Sequence, residues 1–344
     1  MEKLEIDSSQ SGIPPQARVF EILIGFMRTQ AVHAAARFGL PDLLRDGPRT
    51  AEDMALRSGL DPEALYRLLA ALADLGLFEE RPGRGFELTD LGRTLCNDTP
   101  GSLRPFALLA GDRMWWGPWG SLTDSLKTGR PAFDVLFGTD YTGYLDRHGE
   151  MGRIHDACLD SVSLAHNPAV LAAYDFSSFS KVVDVGGGQG SLLASVLEAY
   201  SVPAGVLFDR PRVVEAAAGL YPNLKGRLEF RGGDFFEGVP SGGDLYMLKQ
   251  VLHDWDDRRA ARILENCRKA TGEQGLLIVI ESVIEPGAPS PVPRLFDLHM
   301  LVTSGGGRER TLAEFRALFQ AGGFEMAAAR ATPSSFFILE GRPR

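Results

Sequence analysis

Between residues 181 and 339 the chain alternates short strand-like runs with helical stretches. Strands are read at 182–185, 205–208, 228–231, 244–248, 276–282 and 335–339, and helices at 191–200, 211–219, 256–270 and 312–321. A strand that returns after each helix predicts a parallel, doubly wound α/β sheet with helices on both faces. Such sheets bind ligands at the carboxyl ends of their strands. The residues at those ends therefore carry the functional information.

The loop after the first of these strands reads Asp184-Val185-Gly186-Gly187-Gly188-Gln189-Gly190. Positions without side chains let the backbone approach a ligand, and the following helix offers unpaired N–H groups. A dinucleotide fingerprint begun at Gly186 ends on Ser191, which argues against a nicotinamide cofactor. The Gly-x-Gly-x-Gly spacing, with acidic Asp184 before it, is instead the pattern of sheets that bind S-adenosylmethionine (SAM). Asp209 ends the next strand, where one carboxylate can accept from both ribose hydroxyls. A helix N-cap beside Pro211 is its plainer use. Asp234, in GGDFFE, is either a turn residue or, with Phe235, a contact for adenine.

His253 follows the strand at 244–248 and precedes a helix capped by Asp254 or Asp256, which puts it at the ligand-binding edge. Glu281 ends the next strand at the same edge. A carboxylate on one imidazole nitrogen fixes the tautomer and leaves the other nitrogen to take a proton. That pairing suits deprotonation of a hydroxyl during in-line methyl transfer. A helix-start histidine with a satisfied hydrogen bond is the plainer reading of His253 alone. The other histidines form no tight ligand cluster, and no metal is expected.

Upstream, an apolar helical pattern runs over 19–44 and suits a core or a subunit interface. Two helices around a turn at 59–61, then a hairpin at 77–86, follow the order of a winged-helix unit. Its second helix carries one Arg67 among leucines, and Asp74, Glu79 and Glu80 crowd its end. A DNA-reading helix offers several basic or polar side chains, so packing and dimerisation are the expected uses, and a ligand-sensing regulator is disfavoured. Residues 100–178 are read as helical. Their cluster of Trp115, Trp116, Trp119, Phe133, Tyr141 and Tyr144 is either an aromatic core or the wall of an apolar pocket.

The formal net charge is -9 and the pI about 5.3, against nucleic acid or an anionic membrane as partner. Cys96, Cys158 and Cys267 fit neither a disulfide framework nor a zinc site, and agree with a reduced, cytoplasmic setting. No apolar run reaches the ~18 residues of a membrane span. Residues 1–16 are polar and read as an arm-like or disordered lead, unlike a signal peptide.

The stretches VVDVGGGQG, LFDRP, GGDFFE, LKQVLHDWDD, IESVIEPG and GGGRERTLAEF occur in one order and spacing. In this the chain resembles the plant caffeate-type small-molecule O-methyltransferases and their bacterial relatives in antibiotic biosynthesis. The likeness includes the winged-helix-like N-terminal half. It implies a Rossmann-like SAM-binding domain over 179–344, a helical linker and pocket region over 101–178, and a dimerisation domain over 1–100.

By this resemblance Gly186 holds the methionine part of SAM, Asp184 and Gly188 belong to the cofactor-binding set, Asp209 holds the ribose, and Asp234 and Phe235 the adenine. Lys249 takes a further cofactor-contact position, and Arg153, in MGRIHDA, the SAM carboxylate. His253 matches the catalytic base, and Glu281 and Glu309 the acids that flank it. Asp254, Asp297 and Met300 are expected beside the acceptor. One departure is Arg210 where the family's second motif usually has Leu. The expected enzyme is a homodimeric SAM-dependent O-methyltransferase acting on a small aromatic natural product. Relatives on the same scaffold that perform hydroxylation or decarboxylation are the alternative.

Overall fold

The computed structural model describes residues 14–201 and 204–344. These form two units, one ending at Asp112 and one beginning at Arg113. Most of the lead expected over residues 1–16 lies outside the described residues.

In the first unit, the long apolar pattern resolves into helices Pro15–Leu23, Gly25–Arg37 and Leu40–Leu43. The second break falls at Gly39, whose φ of +64° is a left-handed conformation that ends a helix cheaply only at glycine. Strand β1 (Arg49–Thr50) precedes helices Ala51–Ser58 and Pro62–Asp74, capped by Thr50 and Asp61. Strands β2 (Phe78–Arg81) and β3 (Gly85–Leu88) make the hairpin, and β1 pairs antiparallel with β3. Leu65, Leu69 and Leu72 turn inward onto Phe78 and Phe86, so the second helix is a packing element. Helix Pro15–Leu23, by contrast, buries no residue, and Phe20, Ile22 and Leu23 stand in solvent.

In the second unit, four short helices and the long helix Gly149–Ala173 lead into the sheet. Its strands are β4 (Lys181–Val185), β5 (Ala204–Asp209), β6 (Leu228–Gly232), β7 (Leu245–Lys249), β8 (Leu276–Ser282), β9 (Phe324–Ala331) and β10 (Phe336–Pro343). The order is β6-β5-β4-β7-β8-β10-β9. The first five strands are parallel, as expected. The last two correct the expectation of an all-parallel sheet: β10 runs antiparallel to both β8 and β9. Strand β9 had no sequence signal, because its Met326-Ala327-Ala328-Ala329 run favours helix in isolation. Pairing with β10 along its length overrides that propensity.

Val182, Val183 and Val185 of β4 are fully buried, as expected for a strand covered on both faces. Helix Ser191–Ala199 packs on one face, and helices Asp257–Thr271 and Leu312–Ala321 on the other. Strand order reverses between β4, whose next strand lies on one side, and β7 on the other. The crevice of such a sheet opens at the carboxyl ends of these two strands.

Candidate active site

The glycine loop leaves the end of β4. Gly186 and Gly188 have φ of +70° and +59°, so both need glycine's freedom. Gly187 is required for space instead: a Cβ there would stand 2.6 Å from the Asp184 carboxyl. Asp184 is 1% exposed, and neither carboxylate oxygen has a hydrogen-bond partner of ordinary geometry among the described residues, the Leu193 backbone N–H being its nearest donor. Burial pushes its carboxyl up to about 7, against the pull of Lys249. Unpaired buried carboxylates are costly.

Asp209 ties the loop to β5. Its two oxygens accept from the Gly188 and Arg210 N–H groups at 2.8 and 2.7 Å. A carboxylate has about four lone-pair sites, so these bonds leave acceptor capacity. The Asp209 side chain does not cap the following helix, whose N-cap is Arg210. The Phe235 ring comes close to Gly186, with Cε1 3.6 Å from a Cβ built there, and stands edge-on to Trp255. Asp234 is exposed beside it and accepts from the Phe236 N–H.

Lys249 ends β7. Its ammonium donates to Ser163 Oγ at 2.7 Å, Asn167 Oδ1 at 2.9 Å and the Ser163 carbonyl at 3.2 Å. Burial pulls it down to about 8, against the charges of Asp184 and Asp160. Sequence reasoning missed Ser163, Asn167 and Asp160. They lie more than 80 residues from Lys249 on an ordinary polar helix face, and no motif marks them. Arg153, on the same helix, is exposed and pairs with no acidic group among the described residues. The pairing there is instead Arg212 to Asp156, at 2.7 Å.

His253 sits in a 3-10 turn, Leu252–Asp254, after Gln250, whose φ of +54° is a rare left-handed residue. Asp256, not Asp254, caps the helix that follows. Glu309 Oε1 is 2.9 Å from His253 Nδ1. Glu281 is fully buried. Its Oε1 accepts from the Val251 and Leu252 N–H groups, and its Oε2 is 4.0 Å from Nδ1. Burial alone would push the imidazole down. The negative fields of Glu281 and Asp254 and the bond to Glu309 outweigh it, and hold His253 well above the usual histidine value. Burial holds Glu281 up in turn.

The turn is also gripped from outside. The Arg308 N–H donates to the His253 carbonyl at 2.7 Å. The buried Arg310 guanidinium donates to the Leu252 and Trp255 carbonyls at 2.8 and 2.7 Å and pairs with Asp257. The motif GGGRERT thus closes on His253 at three successive residues. The sequence reading took only Glu309 from it. Ligand atoms of His253, Glu281 and Glu309 all lie within 4.8 Å of one another, a metal-like grouping. Oε1 of each acid already accepts a hydrogen bond, as described.

Helix Pro291–Thr303 supplies the next wall. Asp297 Oδ1 accepts the Glu309 N–H at 2.9 Å, which holds the acid that holds His253. Met300 is buried. Asp254 is half exposed, with Oδ1 3.6 Å from His253 Nε2. The aromatic cluster divides. Phe133 is fully buried against Phe137 and Tyr141, as core. Trp115 and Trp119 face His299 instead, with ring centroids at 4.7 and 6.3 Å. A separate surface cleft, lined by Leu301, Arg308 and Thr311, touches Asp297 and Glu309 but not the imidazole of His253.

Residues 119–325 match the model of the O-methyltransferase domain, and residues 20–98 that of the O-methyltransferase dimerisation domain. The chain belongs to the O-methyltransferase family. This methyltransferase is 37% identical to the phenazine O-methyltransferase PhzM of Lysobacter antibioticus, over 96% of its own length and 97% of that protein's. It superposes on the crystal structure of LaPhzM with a TM-score of 0.93 at 37% identity, over 96% of this chain and 100% of that one. The structure of NcsB1, an O-methyltransferase from neocarzinostatin biosynthesis, is in complex with SAM and 2-hydroxy-5-methyl naphthoic acid. It matches with a TM-score of 0.78 at 32% identity, over 92% and 96% of the two chains. The cofactor is SAM. Among the described residues, no helix is long and apolar enough to cross a membrane.

Proposed function

We propose that this methyltransferase methylates a hydroxyl of a small aromatic molecule, with His253 as the general base. The observation that carries the reading is the 2.9 Å contact between Glu309 and His253 Nδ1. With Nδ1 engaged by the carboxylate, Nε2 is the nitrogen that takes the hydroxyl proton. A phenol titrates near 10, as Tyr does, so an ordinary imidazole is a weak base toward it. Raising the imidazole with Glu281, Asp254 and Glu309 narrows that gap.

Bound SAM supplies an electrophilic methyl group on a sulfonium. Asp184, Gly186 and Gly188 are assigned to its methionine part, Asp209 to the ribose hydroxyls, and Asp234 and Phe235 to the adenine. The buried Asp184 carboxylate and the Phe235 ring beside Gly186 support these roles. Lys249 is a positioning residue, since its three donors are engaged by Ser163 and Asn167. Glu281 and Glu309 orient and charge-stabilise His253, and Asp297 fixes Glu309. Met300, Asp254 and the Trp115–Trp119 wall bound the acceptor. The naphthoic acid in NcsB1 supports an aromatic one.

The active form is a homodimer. The matched dimerisation domain and the fully unburied apolar helix Pro15–Leu23 support it.

The test is turnover of a panel of phenols with labelled SAM. His253→Ala is expected to lower kcat by about 10²–10⁴-fold and leave SAM affinity within a factor of a few. Unchanged kcat would remove His253 from the mechanism.

A further inference from the structure

His299 belongs to none of the family motifs and was read from the sequence only as one of several scattered histidines. It is 9% exposed, on the same helix as Asp297 and Met300. Trp119 Nε1 stands 3.1 Å from its Nδ1. An indole N–H can only donate. Nδ1 is therefore the acceptor, and the single ring proton of neutral His299 is on Nε2. The tautomer is set by the geometry, without appeal to a titration.

The imidazole stays neutral. Burial pulls it down to about 4, and charge on His253 or His155 would pull it further. Protonating Nδ1 would in addition set it against the indole N–H. Trp115, edge-on at 4.7 Å, and Phe296 at 6.2 Å enclose the ring. Trp115 is itself fixed, since its indole N–H donates to the Tyr141 hydroxyl at 2.8 Å. In a five-membered ring the two nitrogens point in divergent directions, so Nε2–H faces away from Trp119. Among the described residues no hydrogen bond is made by Nε2, and Nε2 is not one of the fully buried unpaired nitrogens, so its N–H is open to an acceptor atom of a ligand.

We propose that His299 is a specificity-determining residue whose Nε2–H donates to an sp² oxygen of the acceptor molecule, an aryl or quinone carbonyl near the hydroxyl that is methylated. This rests on the functional reading above and narrows it. A site built around a fixed donor disfavours an analogue that lacks the matching acceptor, because binding it covers the donor and leaves it unpaired. A simple phenol satisfies His253 but not His299. A hydroxyl on a carbonyl-bearing ring system satisfies both, and the indole walls accommodate its flat body.

The experiment measures binding of 1-hydroxyanthraquinone and 1-hydroxyanthracene to the full chain saturated with S-adenosylhomocysteine. The two probes differ in the carbonyls. Wild type is expected to bind the quinone at least tenfold tighter. His299→Phe should abolish the difference, His299→Gln should retain part of it through its amide N–H, and Trp119→Phe should reduce it by freeing the tautomer. S-adenosylhomocysteine affinity should be unchanged in all three, which a merely structural loss would not permit. Equal binding of the probes by wild type, binding of neither, or a preference that survives in His299→Phe overturns the proposal. Methyl transfer to both probes at equal kcat/KM would sink this inference and leave His253 as base. Selective binding of the quinone with no methyl transfer would do the reverse.

Discussion

Glu309 Oε1 lies 2.9 Å from His253 Nδ1, while the Glu309 N–H is held by Asp297 and the Arg310 side chain grips the carbonyls on either side of the histidine. One short segment therefore fixes the position and the tautomer of the imidazole and adds to the negative field that Glu281 and Asp254 set around it. Its parts are separable by mutation.

The first consequence is a pH dependence. His253 accepts a proton only when neutral, and its neighbours hold it above the ordinary value near 6.5. The neutral fraction, and with it kcat/KM, rises with pH through that raised value. Glu309→Gln removes one negative charge and the strong bond to the imidazolium. The acid limb should move to lower pH by about a unit or more, while the plateau falls by roughly 10–10²-fold. A pH–rate profile of the variant whose acid limb coincides with wild type would show that Glu309 does not set the proton affinity.

Arg310 tests positioning. Lysine offers a point charge in place of a planar fork and cannot span two carbonyls and Asp257 at once. Each buried carbonyl left without a donor costs about 1–3 kcal/mol. Arg310→Lys should therefore lower the melting temperature by several degrees and reduce kcat more than it raises the KM for SAM. If melting temperature and kcat both match wild type, the grip on the 3-10 turn has no mechanical importance.

The third prediction concerns the exposed helix Pro15–Leu23. Phe20 and Leu23 are 62% and 65% exposed. If this face is covered by a second copy, Phe20→Asp with Leu23→Asp should shift the species in sedimentation from dimer to monomer. The fold of the first unit should persist, because neither side chain is in its core. A dimer that survives both substitutions places the interface elsewhere.

The sequence by itself determined what local chemistry can specify. The alternation of strands and helices implied the doubly wound sheet, and the glycine loop implied where its crevice binds a ligand. The ordered motifs pointed to Asp184, Asp209, His253 and Glu309. These signals are short in range: each strand, turn and helix start is encoded in a handful of adjacent residues. The tertiary structure decided the rest, because it depends on residues far apart in the chain. Strand β9 exists only because β10 pairs with it, against the helical preference of its alanines. Ser163 and Asn167 meet Lys249 across more than 80 residues. Trp119 meets His299 across 180 residues. A side chain's proton affinity and tautomer follow from what surrounds it in space, and for His253 and His299 those surroundings are assembled only when the sheet and its covering helices have closed.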